Sequence, residues 1–150
     1  MRYLLMLLVC AMFSKAAVSQ AATDSVKQVV DLMFNAMKHA DTVTLASLFT
    51  ADAQLHTVAV TKDGNTVVRT DRIGDFVAAV GRMPEGDADE RIRFEAVHID
   101  GALASVWTPY QFYYKGAFSH CGVNSFQLVR LNGVWKIHFV IDTRRKTGCD

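Results

Sequence analysis

The stretch NSFQLVRLNGVWKIHFVIDT, residues 124–143, decides the fold. Two alternating runs, Asn124 to Leu131 and Val134 to Thr143, flank an Asn132-Gly133 dipeptide. Asn-Gly favours the type I′ turn, because both positions tolerate positive φ and so match the strand twist. A two-residue turn pairs Leu131 with Val134 and fixes the register of the hairpin. Phe126 then faces Phe139, Leu128 faces Ile137, and Asn124 faces Ile141. One face reads Asn124, Phe126, Leu128, Trp135, Ile137, Phe139, Ile141. The other reads Ser125, Gln127, Val129, Lys136, His138, Val140, Asp142. The first face must be buried, with His120 and Asn124 as its polar end. A largely apolar surface with a few polar groups at one end is how a ligand pocket looks in sequence.

Working outward, Ala102 to Lys115 carries Trp107, Tyr110, Phe112, Tyr113 and Tyr114. A turn at Lys115-Gly116 would pair Gln111 with His120 and Trp107 with Asn124, so that these four line one patch. Tyr110, Phe112 and Tyr114 then fall on the opposite face, unless Pro109, which cannot donate to the ladder, introduces a bulge. Arg91 to Ile99 forms a further strand, with Asp100-Gly101 as its turn. Ala53 to Thr61 and Thr66 to Thr70 form a hairpin about Asp63-Gly64. His56 alternates with Val58 and Val60 and is a second histidine able to point inward, although a lone strand histidine is more often structural.

Helical spacing appears three times. Val26, Val29, Val30, Met33 and Met37 recur at helical intervals after a capping-box pattern at Ser25, giving a helix to about Lys38. Asp41 caps a short helix with Leu45, Leu48 and Phe49. Ile73, Phe76, Val77 and Val80 make a third, stopped near Gly81 and Pro84. The order is ααββαββββ, an α+β domain of three helices against one mostly antiparallel sheet.

The N-terminus reads as a targeting segment. Arg2 precedes an apolar run from Tyr3 to Phe13, and Ser19-Gln20-Ala21 is an A-x-A-like cleavage site. The run is shorter than the ~20 residues of a spanning helix; an uncleaved anchor is the alternative. Residues 1–21 are thus the expected signal peptide, with Cys10 inside it, and residues 22–150 the domain. Cleavage leaves about 130 residues, enough for one core. Losing Arg2 and Lys15 takes the formal charge from +1 to −1, which leaves no electrostatic footprint for nucleic acid. Arg144-Arg145-Lys146 reads as a solvated tail. Export to the periplasm or beyond implies an oxidising compartment, where Cys121 and Cys149 tend to be bridged. Hairpin counting brings them near one another, and the closed loop is worth roughly 3.5 kcal/mol in the chain-entropy model. Two free thiols or a metal pair are the alternatives, the latter without any CxxC or HxxxH spacing.

The chain resembles the nuclear transport factor 2-like (cystatin-like) superfamily, the SnoaL-like and ketosteroid-isomerase-like group. The markers are Asp41 opening the second helix, Leu48-Phe49-Thr50-Ala51-Asp52-Ala53 entering the first strand, and Gly133-Val134-Trp135-Lys136-Ile137 beginning the last. His120-Cys121-Gly122-Val123-Asn124-Ser125-Phe126, with Asp142-Thr143-Arg144 and the late Cys149, is similar to exported bacterial members of the lumazine-binding type. The resemblance implies a cone, its curved sheet wrapped around the long first helix, a pocket at the open end, and homodimers formed through the sheet. Its members range from isomerases and cyclases to binding modules, so the fold alone does not choose a function.

Isomerase-like members share an inward acidic base with an acidic or tyrosine partner. In the register above no carboxylate reaches the apolar face: Asp142 falls on the polar face, unless a twist at the strand end turns it inward, and Asp75 falls on the exposed side of the third helix. No nucleophile elbow, phosphate loop or metal constellation appears, so no cofactor and no metal is expected. The leading expectation is an exported protein that binds a small apolar or aromatic ligand, contacted by Trp107, Gln111, His120 and Asn124. The alternatives are an isomerase, cyclase or hydratase using His120 or His56 as base, and a dimeric interaction module without ligand. His120 and Asn124 could also simply satisfy each other or backbone groups near the sheet end.

Overall fold

A computed structural model describes the backbone of residues 2–149 and the surroundings of residues 20–149. Most of the expected signal peptide, Cys10 included, lies outside the residues whose surroundings are described. Helix α1 spans Arg2–Lys38 and α2 spans Thr42–Ser47. Strands β1 (Phe49–Val60) and β2 (Thr66–Arg72) precede α3 (Ile73–Gly81). Then follow β3 (Ala88–Ile92), β4 (Ala96–Asp100), β5 (Leu103–Tyr114), β6 (Ala117–Leu131) and β7 (Val134–Thr143). The three helices pack on one side of a curved sheet of order β2-β1-β7-β6-β5-β3, with β4 also pairing with β5. Among the described residues only β1 with β7 is parallel. The result is a cone with its helices and strands in the expected order.

Local chemistry explains the boundaries. Asp41 caps α2 by accepting from the Thr44 N–H at 3.0 Å. The capping box read at Ser25 is not used: its hydroxyl turns back to donate to the Ala22 carbonyl, inside a continuous α1. Asn132 and Gly133 take positive φ, as do Lys115 and Gly116, so both two-residue hairpin turns form where expected. Pro109 sets no bulge in β5, whose pairing with β6 continues through Pro109↔Val123. Its effect falls on the neighbouring strand. Pro109 offers no N–H, and the expected strand from Arg91 to Ile99 divides there into β3 and β4, which share one edge of β5.

Two bulges revise the register. In the last hairpin Leu131↔Val134 and Leu128↔Ile137 pair as expected, but Gln127 pairs with Phe139, leaving His138 as an extra residue. Beyond it the faces of β7 exchange: Phe126 meets Val140 instead of Phe139, and Asn124 meets Asp142 instead of Ile141. In the preceding hairpin Tyr113 pairs with Phe118 but Phe112 pairs with His120, so Ser119 is the extra residue. Gln111 therefore meets Cys121 and Trp107 meets Ser125, not His120 and Asn124. A bulge inserts one residue on one strand and so inverts inward and outward beyond it.

The core lies between α1 and the concave face. Val26, Val30, Met33, Phe34 and Met37 are buried against Val106, Phe126, Leu128, Ile137 and Val140. The Phe34 and Phe126 rings meet edge to face, centroids 6.0 Å apart. Phe139, carried to the convex face by the bulge, packs on His56 at 5.0 Å and stays partly exposed. Phe126→Ala should therefore cost about 3–5 kcal/mol in denaturant unfolding. Phe139→Ala should cost only about 1 kcal/mol. Equal losses would contradict the bulged register.

Candidate functional site

The bulges assemble side chains at the wide end of the cone in rows across the strands. Glu90, Phe112 and His120 form one row across β3, β5 and β6. Ile92, Tyr110 and Gly122 form the next. Thr108, Asn124, Asp142 and Thr57 form the third, across β5, β6, β7 and β1. From these rows Glu90, Phe112, His120, Tyr110 and Asp142 line a cavity of about 340 Å³. Met37, Leu55, Phe76, Ala79, Val80, Met83, Ala88 and Phe112 make its apolar wall. Glu90, Tyr110, His120, Asp142 and Arg144 make its polar end, and the exposed Asp71 and Asp75 stand at its edge.

Gly122 makes the centre possible. A Cβ there would lie 1.8 Å from the Thr143 carbonyl oxygen and 2.8 Å from Tyr110 Cε1. Without it, the Tyr110 ring lies across β6, and its hydroxyl reaches Asp142 Oδ2 at 3.2 Å and the Thr143 carbonyl at 2.9 Å. One hydroxyl proton serves one acceptor at a time, so Tyr110 donates to either. Asp142 also accepts from Arg144 Nε at 2.7 Å, and Arg144 Nη2 donates to Thr57 Oγ1 at 3.1 Å. Asn124 Nδ2 donates to Glu90 Oε1 at 2.8 Å. His120 shares a hydrogen bond with Ser119 Oγ at 3.1 Å, and its ring lies against Phe112 and Tyr110.

Charge in this space is tuned by burial. Burial pushes the Glu90 carboxyl up to about 7; the Asn124 hydrogen bond opposes this, Asp142 adds to it, and Arg144 opposes it. Glu90 retains some solvent contact through the cavity, yet its carboxyl is enclosed enough to carry a proton near neutrality. Burial, then the neighbouring carboxylates Asp142 and Glu90, raise the Tyr110 hydroxyl far above its ordinary value, so it is a permanent donor. Burial lowers His120, and Arg144 lowers it further, which favours the neutral ring. For Arg144, burial works against the charge, but the Asp142 hydrogen bond together with the charges of Asp142, Tyr110 and Glu90 outweighs it, and the guanidinium stays protonated. Among the described residues no group of three His, Cys, Asp or Glu side chains is placed to hold a metal ion.

The residues singled out from sequence divide between the two faces. His120 lies at the cavity, and Asn124 is held one step behind it, through Glu90. They do not satisfy each other. Trp107 and Gln111 are on the convex side because Ser119 shifts the pairing, and Trp107 remains 45% exposed. His56 also lies there, pairing with Ile141 and sharing a hydrogen bond with Gln54 Oε1 at 3.2 Å. Conversely, Tyr110, Phe112, Asp142 and Arg144 turn inward, so the reading that no carboxylate reaches the concave face is overturned. Arg144, read as part of a solvated tail, joins the site. Glu90 carried no signal in the sequence, whereas Asp142 needed only one bulge to be recognised.

No family model matches this sequence, and no curated protein sequence does either. Solved structures match in shape. A nuclear transport factor 2-like protein of unknown function from Silicibacter pomeroyi superposes with a TM-score of 0.66 at 15% identity, covering 85% of this chain and 98% of its own. One from Shewanella baltica gives 0.64 at 14% identity, covering 83% and 94%. A provisionally named dehydratase of the same family from Streptomyces avermitilis gives 0.61 at 18% identity, covering 85% and 98%. At these identities the likeness establishes the fold: a nuclear transport factor 2-like, or cystatin-like, cone.

The Glu90 titration has a consequence for stability. Its folded value lies above the ordinary 4.5. Between those values the folded state binds more protons than the unfolded one, so stability from this group falls as pH rises from about 4.5 to about 7. Glu90→Gln keeps the carbonyl that Asn124 bonds and removes the charge. The variant should gain on the wild type by about 2 kcal/mol between pH 5 and pH 8, measured by denaturant unfolding. A pH-independent difference would show that Glu90 titrates normally.

Proposed function

We propose that this protein binds a small, mostly apolar molecule in the cavity at the wide end of the cone, with Glu90, Tyr110, His120 and Asp142 meeting its polar atom. The observation that carries this is the asymmetry of the cavity. Its walls are aliphatic and aromatic, and its hydrogen-bonding groups converge at one end, the division of labour small-molecule sites use.

The charge state of Glu90 favours a second reading, proton transfer on the bound molecule. A carboxyl titrating near 7 can take and return a proton at neutral pH, and Tyr110 is a donor able to stabilise a developing oxyanion. Glu90, and neither His120 nor His56, is then the base. His120 is poised toward its neutral form and would orient the ligand; His56 lies on the other face of the sheet. The resemblance to isomerase-like members, with their inward acid and tyrosine partner, supports the same assignment, as does the provisional naming of one structural neighbour as a dehydratase. We further propose that the chain is exported after cleavage behind Ala21, and that a second copy covers the exposed Leu103, Trp107, Leu131 and Val134 of the convex face. Among the described residues no helix is long and apolar enough to cross a membrane.

The cyclic ketone 2-tetralone in deuterated buffer tests both readings in one NMR experiment. Broadening of its signals by the protein should be lost in Ala79→Trp, which fills the apolar wall. Accelerated exchange of its α-protons should fall about 100-fold or more in Glu90→Gln with binding retained. Binding without exchange leaves the binding reading alone standing; no binding of this or similar bicyclic probes removes both. N-terminal sequencing of the protein recovered outside the cytoplasm should begin near Ala22, and a chain beginning at Met1 there would overturn cleavage.

A further inference from the structure

We infer that the Cys121–Cys149 disulfide is a positioning device for Arg144: it fastens the C-terminal tail to β6 and thereby holds the guanidinium between Asp142 and Thr57 at the cavity. The two cysteines are joined in the structure, their Cα atoms 5.8 Å apart and 28 residues apart in sequence. Cys121 lies directly behind the site, between His120 and Gly122, with its side chain on the opposite face of the sheet. The bridge therefore acts on the cavity through the backbone and does not touch a ligand.

The tail needs such an anchor. Residues 143–148 are exposed and bury no apolar side chain. Besides the bridge, its attachments are the end of the β7 ladder at Val58↔Thr143, the backbone pair between Arg145 and Cys121, at 2.8 and 2.9 Å, and the hydrogen bonds of Thr143 and Arg144. The Arg144 side chain is itself 45% exposed. Hydrogen bonds from a half-exposed guanidinium do little to offset the entropy of ordering a tail without an apolar contact. The crosslink removes that entropy beforehand, because the unfolded and frayed tails are tethered too.

Holding Arg144 in place sets the charge of the site. The groups that face Glu90 and His120 are Tyr110 from β5, Asn124 from β6, Asp142 from β7, and Arg144 and Lys146 from the tail. Asp71 and Asp75 stand across the cavity edge, and α1 contributes only Met37. Arg144 is the cation whose charge acts on both groups, favouring ionised Glu90 and neutral His120. With the tail released, both should titrate at higher pH.

The inference concerns the site whose binding role is proposed above, but its test uses no ligand. Proton NMR of His120 and carbon NMR of the Glu90 carboxyl report their titrations in the full, bridged protein. Dithiothreitol reduces the bridge, supplying two electrons and two protons and closing to its own cyclic disulfide. In the reduced protein, and in Cys149→Ser, both titrations should move upward by about half a unit or more. Arg144→Gln should move them in the same direction, and Arg144→Lys should keep them near the native values only while the bridge is intact. Reoxidation should restore the native titration. A folded Cys149→Ser protein with native titrations would overturn the inference, as would an Arg144→Gln protein whose titrations do not move. If loss of the bridge prevents folding, inserting two glycines between Lys146 and Thr147 slackens the tail with the bridge kept. The upward shift is then expected there, and its absence is equally decisive.

Discussion

Side chains on a strand alternate with period two, so one unpaired residue exchanges the two faces of everything beyond it. His138 does this in β7 and Ser119 does it in β6. In the core the inward set is Val106, Phe126, Leu128, Trp135, Ile137 and, past the His138 bulge, Val140, which pack with α1. Further along the sheet the inward set is Glu90, Tyr110, His120, Asn124 and Asp142. Without the bulges, the strands would send Phe139, Ile141, Trp107 and Gln111 inward. The polar cavity end depends on this double inversion more than on any single contact.

At the cavity the two buried carboxyls, Glu90 and Asp142, are arranged so that neither stands alone. Burying an unpaired carboxylate is costly enough that it takes up a proton or finds a partner. Asp142 takes the second course through Arg144 and Tyr110, and Glu90 takes the first, with Asn124 supporting the ionised form. Two acids within one site thus acquire different tasks from their surroundings. Gly122 is the steric condition for this: any side chain there would strike the carbonyl to which Tyr110 donates.

Much of the fold was legible because it rests on local chemistry. Both two-residue turns, the cap at Asp41, the apolar stripe from Val26 to Met37 and the bridged cysteines follow from turn residues, periodicity and hairpin counting. The site was less legible because a bulge has no strong sequence signature. His138 in a run of alternating residues looks like any outward strand residue, and Ser119 gives no sign that it is unpaired. The same two positions explain the misplaced Trp107, Gln111 and Phe139 and the missed Asp142, Tyr110 and Phe112. Pro109 drew the suspicion of a bulge, but its missing N–H broke the neighbouring strand instead. Glu90 was invisible for another reason: its role depends on pairing with β5 far along the chain, which no local pattern records.

The division between the two ends of the cone has an energetic logic. At the narrow end, close packing of Phe34 on Phe126 and burial of the aliphatic set supply the hydrophobic stabilisation on which a domain of this size depends. At the wide end, the same sheet gives up apolar burial for a cavity, a carboxyl that prefers its proton and a tail held by a covalent bond. Each is a local cost, since a cavity forfeits dispersion contacts and a raised acid lowers stability at neutral pH. Such costs persist in a marginally stable domain when the rest of the structure offsets them and the arrangement has a use. At the packed end sequence variation is limited by volume, and at the cavity end by hydrogen-bond partners and charge. The physical case for a working site at the wide end therefore rests on what the fold tolerates there, beyond the presence of a cavity.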